Sequence, residues 1–279
     1  MSRAYPYPAE DAGADTDVEE PAWAWLLRAR DDDAARIEGP PAELAEHPLV
    51  VRMLGVLGEV PDDRPYVVGH LGQSLDGRIA LPCGTSQWIT GEADLHHTHQ
   101  LRALCDAVMV GTQTVAADDP RLTVRRVSGP QPLRVVLDPR GRLPLQRNVF
   151  QDGYPTLRVG RLPANRQISG WGAAQHAVDE MLLPGEGPLD LVRMLKGLRQ
   201  RGIRRLFVEG GGVTLGHLLA AGVVDRLHLV QAPMFVGLGK PSIAAALSPS
   251  LESCPRPQIR TEKLGDDLLF DCAFTGGPA

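Results

Sequence analysis

Cysteine is scarce in this chain. Four are spread over 279 residues, Cys83, Cys105, Cys254 and Cys272, with no CxxC pair and no clustered histidines. That spacing argues against a disulfide framework or a zinc site, and no metal is expected. Reduced thiols in a cytoplasmic protein are the simplest reading. A basic surplus is also missing. The formal net charge is −5, whereas a general nucleic-acid binder needs a basic surface to displace counterions. No apolar run approaches the ~20 residues that span a bilayer. The opening MSRAYPYPAEDAG lacks the basic start and apolar stretch of a secretory signal. No internal repeat is evident. What is present is an ordinary balance, 43% hydrophobic and 23% charged, enough to bury a full core as one large domain or two small ones.

Charge is unevenly placed. Residues 1–64 hold 15 Asp and Glu against 6 Lys and Arg, leaving 19 against 23 in the remainder. The second portion therefore suits anionic ligands. Residues 1–20 are acidic and rich in Pro, Ala and Gly, the composition of a disordered segment. Residues 21–64 read as a helical extension, with one helix opening at Pro21 and a second whose start Pro48 delays. From residue 65 to about 275, short β-branched runs alternate with amphipathic stretches. YVVGHL, RIAL, DAVMVG, LRVVLD, RRLFVE and DRLHLVQA read as strands. EADLHHTHQLRALC, LDLVRMLKGLRQRG and GVTLGHLLAAG read as helices, and PQIRTEKLG with DLLFDCAF as a terminal strand pair. The alternation predicts an α/β fold with a largely parallel central sheet, flanking helices and antiparallel additions at the C-terminus.

Three segments carry chemistry. RRLFVEGGGVTLGHLL runs a strand into Glu209-Gly210-Gly211-Gly212 and then into a helix. Glycines let a backbone approach a ligand, and a helix N-terminus offers unpaired amides, so the turn is either a phosphate cradle or a tight corner. It matches neither GxGxxG nor a Walker loop. In DAVMVGTQTVAADDPRLTVR, Gly111 ends a strand, Thr112 and Thr114 follow, and Asp118 could reach ribose hydroxyls or cap the turn. Arg102 and Arg125 are either phosphate ligands or solvated charges. In GHLGQSLDGRIALPCGTSQWIT, Ser74 and Asp76 suit a tight turn, while Ser86, Trp88 and Thr90 could line a nucleotide pocket.

SLDGRIA, SQWITG, the block from LRALCDAVMVG to ADDPRLTVR, RVVLDPRGRLP and LFVEGGG occur in one order. That set resembles the pyrimidine reductase family of riboflavin biosynthesis, whose fold is similar to dihydrofolate reductase. The resemblance covers about residues 66–274. It implies NADPH-dependent reduction of 5-amino-6-(5-phosphoribosylamino)uracil, with hydride delivered to the ribose C1′ of an opened imine. It places Ser86, Arg102, Leu122, Arg125 and Glu209 on substrate positions. It places Trp88, Gly111, Thr114 and Asp118 on cofactor positions, with Gly210, Gly211, Gly212, Val213, Thr214, Leu215 and Gly216. Water, Asp76 or Glu209 is left to supply a proton. Arg158 and Arg161 are either ligands for a 2′-phosphate or surface charges. His70 stands where some members have lysine. A homodimer is implied. Bifunctional members carry a zinc deaminase before the reductase, and residues 1–65 are too short for it, so deaminase activity is not expected. The alternatives are a same-fold reductase of another pterin- or pyrimidine-like substrate, a folate-reducing enzyme and a non-catalytic dinucleotide-binding module.

Overall fold

A computed structural model describes residues 16–162, 178–185 and 187–274. The expectation of disorder therefore lies outside the described residues for 1–15. The chain divides into two compact units between Leu57 and Gly58.

In the first unit, α1 (Thr16–Asp31), α2 (Asp33–Glu38) and α3 (Pro48–Met53) lead into a 3-10 turn at Leu54–Leu57. Helix α1 starts earlier than the sequence suggests, and Pro21 lies inside it rather than opening it. The missing amide of a proline costs an intrahelical bond. Burial of Ala22, Trp23, Trp25, Leu26 and Ala29 offsets it. Pro48 does open α3, where the His47 ring accepts the Leu49 amide at 3.2 Å.

The second unit begins with β1 (Tyr66–Ser74), β2 (Arg78–Ala80), α4 (Glu92–Leu104), β3 (Ala107–Gly111) and α5 (Thr112–Asp118). It continues through β4 (Leu133–Leu137), α6 (Asn148–Gln151), β5 (Thr156–Arg161), β6 (Val178–Leu183) and α7 (Leu191–Gln200). Then come β7 (Arg205–Glu209), α8 (Gly212–Ala220), β8 (Arg226–Ala232), β9 (Lys240–Pro241), β10 (Gln258–Leu264) and β11 (Asp267–Ala273). Nine strands form one sheet in the order β10-β11-β8-β1-β7-β3-β4-β5-β6. The run from β8 to β6 is parallel throughout, and only β11 and β10 join antiparallel. Parallel strands carry helices on both faces and are buried on both, as all five buried residues of β3 illustrate.

Two features depart from the sequence reading. RIAL does not join the main sheet; β2 pairs with β9 in a separate two-stranded ribbon. Strands β5 and β6 extend the sheet edge, and β5 contains Arg158, which is 3% exposed. Its guanidinium forks onto the buried Asp138 carboxylate. It is neither a surface charge nor free for a ligand.

Candidate active site

The C-terminal ends of β1, β7 and β3 sit side by side, and each opens into a segment that the sequence marks as chemical. In an open α/β sheet the ligand crevice lies at this edge. Here it is a cavity of about 700 Å³, lined by His70, Gly72, Ser86, Trp88, Thr114, Asp118, Glu209 and the 210–213 turn among others. That volume falls in the range of small-molecule and cofactor sites.

The glycine turn is built for close approach. Gly210 and Gly211 have φ of 65° and 77°, which side-chain-bearing residues rarely adopt. A Cβ on Gly210 would meet nothing within 4 Å, so the glycine leaves an open backbone edge. No side chain caps α8, and its first-turn amides are left for a ligand or water. The two strand-to-helix turns also interlock. A Cβ at Gly111 would come within 2.5 Å of the Thr214 hydroxyl, and one at Gly211 within 3.2 Å of the Thr114 hydroxyl. Gly111 and Thr214 therefore serve packing between the turns. Leu215 is buried in the core, and Gly216 closes against Ala245. These four do not line the cavity, whereas Thr114, Asp118 and Val213 do.

Trp88 sits on the cavity wall, 75% exposed, with φ of 70°. Left-handed backbone at a non-glycine residue costs energy that the fold must supply elsewhere. Asp119 and Leu122 share this conformation. The Asp119 carboxylate ties the bend to Asn148, accepting its backbone amide at 2.9 Å and its side-chain amide at 3.0 Å. Leu122 is buried beneath the bend and stays off the cavity. Ser86 donates to Asp118 at 3.1 Å, joining the SQWIT segment to the end of α5.

Arg102 is not an open phosphate ligand. It is buried on α4 and forks onto Glu209 across the sheet end. Its Nε donates to Oε2 at 2.7 Å and its Nη2 to Oε1 at 2.5 Å, while Nη1 donates to the Thr123 carbonyl at 2.9 Å. The pair fixes the Glu209 carboxylate at the cavity wall. Arg125 is more open. Its Nη1 donates to the Thr123 hydroxyl at 2.6 Å, and burial together with the neighbouring Arg102 and Arg121 charges lowers its pKa. Like charges gathered this way favour an anion between them. His99 separates the two arginines. Burial, then the Arg102 and Arg125 charges, push it down to about 4. Its Nδ1 accepts the Arg125 backbone amide at 2.9 Å, which leaves the hydrogen of the neutral ring on Nε2. The 3.5 Å approach of Arg102 Nη1 to Nε2 is then a contact between two donors.

Asp76 does other work. It does not line the cavity. Its carboxylate accepts from the Ser74 hydroxyl at 2.6 Å and from the Val236 and Gly237 amides at 3.0 and 2.7 Å. The Ser74 hydroxyl foremost, then those amides, hold its pKa down at about 2. An ionised clamp on the 234–239 loop cannot deliver a proton at neutral pH. The sequence reading also missed Asp94 and Lys240, both on the cavity wall. Asp94 pairs with His70, Nε2 to Oδ1 at 2.7 Å, and nothing local in the helix sequence announces that partner.

Comparison with known proteins agrees with this architecture. A family model described as the RibD C-terminal domain matches residues 65–268. A reductase of Methanothermobacter thermautotrophicus, named for 2,5-diamino-6-ribosylamino-4(3H)-pyrimidinone 5′-phosphate, is 41% identical over 227 residues, covering 76% of this chain and all of that protein. A protein of the same name from Archaeoglobus fulgidus is 36% identical over 99% of its length. Among solved structures, Acinetobacter baumannii RibD superposes with a TM-score of 0.67 at 27% identity, covering 84% of this chain and 65% of that one. A Thermotoga maritima deaminase/reductase gives 0.65 at 26%, with 57% of its length covered. The chain thus spans about three-fifths of those two solved chains and nearly the whole of the two reductases. It belongs to the RibD C-terminal domain family, the reductases of riboflavin biosynthesis.

Proposed function

We propose that residues 65–275 form an NADPH-dependent reductase that converts the ribosylamino group of a phosphorylated pyrimidine to a ribitylamino group. The observation that carries this reading is the cavity itself. A glycine turn with an uncapped helix end shares it with a carboxylate held rigid by Arg102. Gly210–Val213 would hold the cofactor pyrophosphate on backbone amides, with Thr114 and Asp118 nearby and Trp88 offering a ring face. The open backbone edge at Gly210 fits that group. When bound, the reduced nicotinamide supplies a hydride. Glu209 would accept a hydrogen bond from a substrate hydroxyl or ring N–H, and Arg125 with Arg121 would meet the phosphate. Holding the reacting carbons together in near-attack geometry is the protein's largest contribution.

The sequence resemblance points to 5-amino-6-(5-phosphoribosylamino)uracil. End-to-end similarity to the two reductases favours a second reading, the 2,5-diamino pyrimidinone phosphate of their names. NADPH over NADH rests on the resemblance. So does a homodimer, for which edge strand β10 offers an exposed Ile259. A cytoplasmic location accords with four free cysteines. The test is oxidation of NADPH, with NADH in parallel, by the purified chain given each pyrimidine. Consumption of either establishes the reductase and its substrate. NADPH binding without turnover on both would mean another substrate or a binding module.

A further inference from the structure

Reduction of a ribosylamine consumes one proton, and the two carboxylates the sequence offers for it are both engaged. Glu209 is forked onto Arg102, and Asp76 is an ionised clamp away from the cavity. We propose that His70, backed by Asp94, is the acid that protonates the sugar ring oxygen as the ring opens. This rests on the reductase reading above.

His70 lies on β1 at the floor of the cavity, and Asp94 faces it from α4. Both are buried, and the ring Nε2 meets Asp94 Oδ1 at 2.7 Å. The other ring nitrogen, Nδ1, has no hydrogen-bond partner among the described residues. It retains solvent-accessible surface, and His70 lines the cavity. A carboxylate on one nitrogen fixes the ring's orientation and favours the imidazolium, leaving the second N–H to be given away.

The surroundings agree. On α4, Asp94, His97 and Arg102 face His70; on β7, Glu209; on β8, His228, with Asp271 of β11 behind it. Arg102 is already neutralised by Glu209. Burial keeps His228 low, and its Nδ1 meets His97 Nε2 at 2.9 Å. Burial most strongly opposes charge on His70 as well, but the Asp94 charge and hydrogen bond, with Glu209 behind them, together raise its pKa. The Phe207 ring packs edge-on against the imidazole at 6.3 Å and limits its rotation.

The step balances. The C1′–O4′ bond breaks, its electron pair goes to O4′, and O4′ takes the proton from Nδ1. The lone pair of the exocyclic nitrogen forms the C1′=N bond. A hydride, which a bound reduced nicotinamide would supply, would complete the reduction at C1′ as the π pair returns to nitrogen. His70 recovers its proton from water.

The experiment is a set of kcat–pH profiles for the native chain, His70→Gln, His70→Lys, Asp94→Asn and Lys240→Ala, with an NMR titration of the His70 ring in ligand-free protein. NADPH affinity is followed by fluorescence. The native profile should fall on the alkaline side with an apparent pKa above 6.5, matching the ring titration. His70→Gln should lose that limb and about a hundredfold or more in kcat with NADPH affinity retained. Asp94→Asn should move both the limb and the ring titration to lower pH, and His70→Lys should move the limb upward. If His70→Gln does not fold, Asp94→Asn and His70→Lys carry the test. A native-like kcat and limb in His70→Gln overturn the proposal, as does a limb that moves with Lys240→Ala or stays fixed in Asp94→Asn. Turnover by the native chain with such a result would defeat the His70 assignment alone. No turnover on either pyrimidine would defeat the reductase reading beneath it.

Discussion

Cutting the fork between Arg102 and Glu209 should cost stability before it costs phosphate affinity. The Arg102 guanidinium makes three hydrogen bonds, two of them to Glu209, and its side chain is 7% exposed against 20% for Glu209. Removing one partner of a buried pair typically costs about 3–5 kcal/mol, because the other charge is left unpaired. The partial exposure of Glu209 lets water recover some of this, giving about 2–4 kcal/mol for Arg102→Met. For a protein of this size that is a fall in Tm of roughly 5–15 °C. Glu209→Gln keeps one acceptor and should cost about 1–3 kcal/mol. The double variant should cost less than the sum of the two, with a coupling of about 2 kcal/mol. The assay is urea and thermal unfolding of all four proteins, paired with KM for phosphorylated and dephosphorylated substrate. Suppose Arg102→Met melts like the native chain and raises KM tenfold for the phosphorylated compound alone. Arg102 would then be a phosphate ligand, and the fork would not be what holds Glu209.

Arg125→Ala should raise KM for the phosphorylated substrate about tenfold to a hundredfold, the worth of one charge-assisted contact, and leave the dephosphorylated analogue unaffected. An equal change for both would remove the phosphate role. Gly212→Ala would drive a Cβ into the Ser242 backbone carbonyl, so loss of soluble folded protein is expected, and a native-like melting curve would refute the close packing. His99 resists protonation down to about 4 in the folded state, against 6.5 for the ordinary ring. Its contribution is complete above about 6.5 and is lost as pH falls towards about 4, because the unfolded chain takes up the proton first. Thermal melts across that window should slope less in His99→Gln, and an unchanged slope would place the effect elsewhere.

What the sequence by itself determined is what rests on neighbours along the chain. The strand runs, the α4, α7 and α8 helices and the terminal strand pair were legible because apolar spacing and glycine stops are local signals. The 209–213 turn was legible too, since consecutive φ of 65° and 77° strongly favour glycine. Its place on the crevice followed from its being a strand-to-helix turn. The family motifs added the remaining positions as a set, without saying which side chains face the cavity.

Only the tertiary structure decided that. Arg102 and Glu209 are 107 residues apart, His70 and Asp94 are 24 apart, and each pair forms only once the strand order places β1 beside β7 with α4 across their ends. A lone arginine reads the same whether it is solvated or forked, so Arg158 and Arg102 gave no sign of burial. Asp76 looked like a turn residue or an acid, and only the return of the 234–239 loop made it a clamp. Backbone geometry and hydrophobic period are encoded locally. The partner of a charge is set by which distant segments the sheet brings together, and that pairing turned a resemblance into a site.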